Sequence, residues 1–203
     1  THLNRDLVQF PANVTNRTEA IAHRIATAGI YRKVADNQVK ALRFILSGSH
    51  EDMLQLESDG RLEEWCHSTM QWLYTTFGKA NVVAATLHAD EETPHIHATV
   101  VPIVTGERRK ARQEAENGKR KYKTKKNKIR LCADDLLTPK KLEEYQTSYA
   151  EQMRPFGLSR GVQGSEAKHR TNMEYYKELL KETKQKQLEE EELIQKVREL
   201  EKQ

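Results

Sequence analysis

Three histidines close together in the chain carry the chemistry. The segment His88-Ala89-Asp90-Glu91-Glu92-Thr93-Pro94-His95-Ile96-His97 sits between two apolar runs, residues 81–88 and 95–104, that read as strands. Side chains alternate faces along a strand, so His95 and His97 point the same way. His88 ends the preceding strand, and the six residues from Ala89 to Pro94 allow an antiparallel hairpin. In that arrangement three imidazoles converge on one face. Neutral imidazoles suit a divalent transition metal and leave coordination positions open for a substrate. One of the loop carboxylates, Asp90, Glu91 or Glu92, is placed to ligate the metal or orient an imidazole. A lone His-x-His on a strand is ordinarily a pair of exposed or hydrogen-bonded histidines. The third histidine, the acidic loop and the proline before the pair point to a metal site instead. The spacing is that of strands and differs from the helical His-Glu-x-x-His of zinc proteases.

The next chemistry-bearing tract is basic. Arg108, Arg109, Lys110, Arg112, Lys119, Arg120, Lys121, Lys123, Lys125, Lys126, Lys128 and Arg130 crowd one stretch without an apolar period. Such density repels itself unless an anion neutralises it, and nucleic-acid phosphates do so with release of counterions. Tyr122 interrupts the run and is suited to stacking on an unpaired base. Asn117-Gly118 in its middle is a strong hairpin signal, so 108–130 reads as a hairpin-like arm that closes on DNA.

The elements that must position these residues follow from punctuation and period. Residues 1–14 read as an irregular entry ended by Pro11. Asn16 or Thr18 caps a helix carrying Ile21 and Ile25 that stops at Gly29. Residues 38–47 read as a strand, Ser49 caps a helix punctuated at Gly60, and 61–77 forms another that ends at Gly78, with Trp65 and Trp72 as core anchors. Thr138-Pro139 opens a helix with Leu142, Tyr145, Tyr149 and Met153, stopping before Pro155. Residues 158–169 are punctuated by glycine. From about Thr171 onward the chain reads as one charged helix, in which Leu193, Val197 and Leu200 are spaced like a short coiled-coil seam able to support self-association. His23, His50 and His67 fall on helices and read as exposed, and His169 reads as a local structural or DNA-backbone contact. The expected fold is α+β: an antiparallel sheet with the histidines on one face, helices packed behind it, and a projecting charged C-terminal helix. The expected division is 1–170 for the catalytic domain and 171–203 for a helical extension.

The 203 residues suffice for one domain with a core and an appendage. Hydrophobic residues make up 36% and charged residues 32%, against about 45–50% and about 25% in ordinary globular chains. That skew fits long solvated helices or charged loops attached to a compact body. The net charge of +4 is small, but basic residues gather in the middle and acidic ones near the end. No apolar run approaches the roughly 18–20 residues of a membrane span, and no signal peptide is visible. Cys66 and Cys132 form neither a metal-type pair nor a disulfide framework, so a cytoplasmic setting is expected.

His-x-Asp-Glu-x-Thr-Pro-His-x-His followed by an apolar strand resembles the metal-binding motif of the MobV (Pre/Mob) relaxases, of the HUH endonuclease class. The resemblance runs from Thr1 to about Arg170. It takes in His2-Leu3-Asn4-x-x-Leu7, the strand before Ser47-Gly48, the helix ending at Phe77-Gly78, and Gly161-x-x-Gly164-Ser165 followed by His169. It implies a metal-dependent relaxase that nicks one strand at an origin of transfer and forms a covalent 5′-phosphate adduct, starting conjugative mobilisation. It implies that His88, His95 and His97 are the ligands and that Glu91 assists them catalytically. Mn²⁺ or Mg²⁺ is the expected working metal, with Zn²⁺, Co²⁺ and Ni²⁺ also acceptable to imidazoles. The implied partner is origin DNA, single-stranded or hairpin, along with accessory mobilisation or coupling proteins. DNA contacts are expected from Asn4 and Arg5 and from Arg108, Arg109, Lys110, Lys119, Arg120, Lys121, Tyr122, Lys123, Lys125 and Lys126. The family's nucleophile, a histidine in His-x-x-Arg, precedes the His-Leu-Asn element, which places it ahead of Thr1. His2-Leu3-Asn4-Arg5 also spells His-x-x-Arg, and Tyr31, Tyr74, Tyr145 and Tyr149 are the tyrosine alternatives. Two other readings stay open: a metal-dependent hydrolase of a small substrate, and a non-catalytic or replication-initiation DNA-binding module.

Overall fold

The computed structural model describes residues 3–106 and 128–162, together with 181, 183–187, 190 and 194. Two compact units are present, Thr1–Gly161 and Val162–Gln203. In the second, the described residues 181, 183–187, 190 and 194 include helical backbone. The seam residues Leu193, Val197 and Leu200, His169 and the arm from Arg108 to Lys126 lie outside the described residues.

The first unit is α+β, as its pattern predicts. Its central sheet is antiparallel and four-stranded, in the order β1 (Arg5–Asp6), β3 (Val82–His88), β4 (His95–Val100), β2 (Leu42–Leu46). β5 (Ile103–Val104) and β6 (Arg130–Leu131) form a separate two-stranded ribbon from which the basic segment departs and to which it returns. The helices are α1 (Arg17–Thr27), α2 (His50–Ser58), α3 (Leu62–Phe77) and α4 (Pro139–Met153). Their starts follow the cap chemistry. Asn16 accepts from the Glu19 N–H, Ser49 from Asp52 and Thr138 from Lys141, each satisfying a donor that the helix leaves open. α3 ends where Gly78 takes φ of 86°, a value that L side chains avoid.

One face of the sheet is buried. Leu46, Ala85, Leu87, Ile96, Ala98 and Val100 pack on Trp65, Met70, Leu73 and Phe77 of α3, with Met53 and Leu56 of α2 and Met153 of α4 completing the cluster. Trp65, Leu73, Ile96 and Val100 are wholly buried, each worth about 1.5–3 kcal/mol relative to exposure. α4 is keyed to α3 through Trp72, whose indole N–H donates to Ser148 Oγ at 3.1 Å and whose ring meets Tyr149 edge-on. A bulge between Val82 and Ala84 leaves Val83 out of register. Val83 joins a second apolar cluster with Ala20, Val101 and Leu131, against which Ile21 and Ile25 of α1 pack.

The structure corrects the reading in three places. The entry segment is not wholly irregular, because Arg5–Asp6 pairs with Leu87 and Thr86 as an edge strand. Two residues are too few to show alternation. The run 95–104 is not one strand: β4 stops at Val100 and β5 resumes at Ile103, because Pro102 has no N–H to donate to a ladder. The strand expected over 38–47 is confined to Leu42–Leu46, with Val39 half-exposed before it.

Candidate metal centre

The β3–β4 hairpin sets His88 directly opposite His95 and Thr86 opposite His97. Opposed residues on antiparallel strands share a face, and so do i and i+2 along one strand. All three imidazoles therefore project from the sheet face that turns away from α3. Their ring centroids form a triangle with sides of 5.1 Å (His88–His95), 4.7 Å (His88–His97) and 4.8 Å (His95–His97).

The loop brings Glu91 back over this triangle. Its carboxylate lies 3.3 Å from His88 Nδ1 through one oxygen and 3.9 Å from His95 Nε2 through the other. Ligand atoms of His88, Glu91 and His95 all lie within 4.8 Å of one another. Two donors at about 2.3 Å on opposite sides of one ion lie about 4.6 Å apart, so small side-chain movements would let this set hold a single cation. The tautomer of His95 suits it too. Its Nδ1 lies 2.8 Å from the Thr93 carbonyl, which can only accept, so Nδ1 carries the proton and Nε2 keeps a free lone pair. His97 is held below the ordinary imidazole range by burial first, then by the positive fields of His95, His88 and Arg43, with Glu91 opposing. That favours the neutral, ligating form.

Five side chains outside the histidine motif fix the hairpin. Asn4 Oδ1 accepts from the Ala89 N–H at 3.1 Å, where the chain leaves β3 for the loop. The Thr86 hydroxyl donates to Asp6 Oδ1 at 2.7 Å. Ser47 Oγ donates to the Pro94 carbonyl at 2.8 Å, and His50 Nδ1 lies 2.8 Å from Thr93 Oγ1. His50 is exposed, as expected, yet it braces the metal loop. Asp6, Ser47, His50 and Thr86 carried no signal in the sequence, because their roles depend on strand register and on the docking of α2.

The other expected site residues fall as follows. Asn4 is turned to the Ala89 amide, and Arg5 pairs with Glu63 of α3 at 2.7 Å, so both have partners within the chain. Tyr74, Tyr145 and Tyr149 pack in the core on the far side of the sheet. Burial pushes all three phenols up, Tyr149 to about 12, and their place behind the sheet separates them from the histidine face. Tyr31 is 86% exposed, with Lys128 Nζ 4.5 Å over its ring. His2 lies outside the described residues.

The sheet carries His88, His95 and His97 together on the face turned away from α3, an arrangement able to hold a metal ion. A family model described as plasmid recombination enzyme (Mob_Pre) matches residues 1–177. The chain belongs to this family. It is 35% identical over 141 residues to the 65 kDa protein of Zymomonas mobilis subsp. mobilis, a match covering 69% of this chain and 20% of that one. It is 30% identical over 171 residues to the plasmid recombination enzyme of Bacillus thuringiensis, covering 82% and 31%. The chain thus spans less than a third of the length of these two relatives. Among solved structures it resembles the MobM relaxase domain (MOBV; Mob_Pre) bound to plasmid pMV158 oriT DNA in a Mn-bound crystal structure. The TM-score is 0.64 at 22% identity, over 87% of this chain and 81% of that one, and shows a shared fold.

Proposed function

We propose that this domain is a relaxase: a metal-dependent, site- and strand-specific DNA endonuclease and transesterase that nicks an origin of transfer. The observation that carries the reading is the triangle of His88, His95 and His97 with Glu91 across it, on an open sheet face, in a member of the plasmid recombination family. The structural neighbour named MobM is Mn-bound and holds oriT DNA, which favours Mn²⁺ or Mg²⁺ here and origin DNA as the substrate. A divalent cation at this site supplies charge neutralisation on the non-bridging oxygens of the scissile phosphate.

The chain's own residues supply the positioning. His88, His95 and His97 would hold the cation, on a sheet face that is open to solvent. The Thr93 carbonyl fixes the His95 ring, and Glu91 spans His88 and His95 to restrain the remaining freedom. In the transesterification, the nucleophile, which the family resemblance places ahead of Thr1, forms a bond to phosphorus as the bond to the 3′ oxygen breaks and that oxygen takes up a proton. The 5′-phosphate stays on the protein and conserves the energy for rejoining. The basic arm, with Arg108, Arg109, Lys110, Lys119, Arg120, Lys121, Tyr122, Lys123, Lys125 and Lys126, supplies sequence-independent affinity. DNA as substrate and two free cysteines favour a cytoplasmic setting, and among the described residues no helix is long and apolar enough to cross a membrane.

The test is nicking of a labelled origin oligonucleotide with Mn²⁺ by protein that also carries the segment ahead of Thr1, where the family resemblance places the nucleophile, followed on a denaturing gel. His95→Ala should abolish cleavage while DNA binding persists. Equal cleavage by the variant would remove the metal assignment. Hydrolysis of small phosphoesters with no DNA cleavage by the parent would favour the small-substrate hydrolase.

A further inference from the structure

The open face of the sheet has a direction. The row that contains His97 runs Asp6, Thr86, His97, Ile45 from β1 to β2, each residue paired with the next across the sheet. Arg43 lies two residues from Ile45 on the same face, opposite Thr99. Adjacent strands are about 4.8 Å apart and alternate residues about 6.8 Å apart along a strand. Ile45 is thus the immediate neighbour of a metal ligand, and Arg43 is one step further out.

The two sides of the histidines differ in charge and polarity. Toward β1 stand the Thr86 hydroxyl and the Asp6 carboxylate it serves. Arg5, the nearest cation in sequence on that side, sits at the opposite-face position beside Leu87 and is paired with Glu63. Toward β2 stand Ile45, 69% exposed, and the exposed guanidinium of Arg43, whose field reaches His97. A carboxylate repels a phosphate chain, while a guanidinium attracts it and matches its geometry. An isoleucine left in water beside a charged site gains by covering a sugar or base.

We propose that the DNA strand leaves the histidine cluster across β2. Ile45 packs against the sugar or base next to the phosphate held at the cluster, and Arg43 pairs with the following phosphate. This assignment rests on the reading of the domain as a DNA-nicking enzyme and adds the path of the strand.

The experiment compares the parent chain with Arg43→Gln, Ile45→Glu and Asp6→Asn. The probe is a fluorescein-labelled, mixed-sequence single-stranded oligonucleotide, titrated by anisotropy across a salt series. Isothermal titration with Mn²⁺ alone gives metal affinity. Ile45→Glu should weaken DNA binding by about tenfold or more, since it sets a like charge in the phosphate path. Arg43→Gln should weaken it and reduce the slope of log affinity against log salt by about 0.7, the value for one phosphate contact on a single strand. Neither should bind Mn²⁺ more weakly than the parent, since one removes a cation and the other adds a carboxylate beside His97, and Asp6→Asn, which keeps an oxygen for the Thr86 hydroxyl, should bind DNA no more weakly than the parent. Parent-like DNA affinity in Arg43→Gln and Ile45→Glu overturns the proposal. So does a loss confined to Asp6→Asn, which would route the strand across β1. Failure of the parent itself to bind DNA removes the DNA-nicking reading and this path with it, a result distinct from the other two.

Discussion

Asn4 offers the sharpest test of how the metal centre is held. Its side-chain oxygen is the acceptor for the Ala89 N–H, one residue beyond the ligand His88 and two before Glu91. Asn4→Leu keeps the volume and deletes the acceptor. A partly buried N–H without a partner costs about 1–3 kcal/mol, and the solvent access here argues for the lower end. The stability loss should therefore be about 1 kcal/mol. The loop then loses its anchor on the β1 side and keeps only Ser47 and His50 on the other. Supporting groups around metal ligands are worth about 10–100-fold in affinity, so Mn²⁺ binding should weaken about tenfold. Asn4→Asp retains an oxygen at the same place and should recover most of that loss. Isothermal titration gives the affinity, and hydrogen exchange at the Ala89 amide in metal-free protein reads the bond itself. Parent-like Mn²⁺ affinity and parent-like Ala89 protection in Asn4→Leu would refute the claim that β1 positions the site.

Tyr149 makes stability fall with alkaline pH. Its folded-state pKa of about 12 lies above the ordinary phenol value near 10, so the folded state binds the extra proton between them. Its contribution is complete below about pH 10 and is lost as pH rises through 12, about 2–3 kcal/mol in all; urea melts should show a flatter slope in Tyr149→Phe. At Gly48, an added Cβ would lie 2.7 Å from Leu158 Cδ2 and 3.3 Å from Met53 Sδ, both in the core. Gly48→Ala should cost about 1–3 kcal/mol, and in a thermal-melt cycle Leu158→Ala should cost less in its presence than alone.

How much of this was legible depends on whether the information is local. The helix starts at Arg17, His50 and Pro139 could be read because one capping side chain decides each. The histidine face could be read because strand period and a six-residue loop leave little choice of register. β1 could not, since two residues carry no period and its bonds reach from Asn4 to Ala89 and from Asp6 to Thr86. The bulge at Val83 was equally hidden: Val82-Val83 reads as ordinary strand, and only the packing of α1 shows why one valine leaves the ladder. His50 shows the limit from the other direction. It was placed correctly on an exposed helix start, yet its bond to Thr93 follows from where α2 docks.

The placement of the three histidines explains how so small a sheet could carry a metal site. His88 and His95 stand at the loop end of the hairpin, while one to five residues inward Leu87, Ile96, Ala98 and Val100 are locked against α3. Alternation does the sorting: every ligand has a buried neighbour next to it in the chain, so the ring positions inherit the rigidity of the core. The loop gains what the strands cannot give it from three separate places, Asn4 before β1, Ser47 after β2 and His50 on α2. Each sits at the edge of an element whose other side is packed. The candidate metal centre is thereby tied to the domain through short polar bonds, and a change at any one tie should be felt first in metal affinity rather than in overall folding.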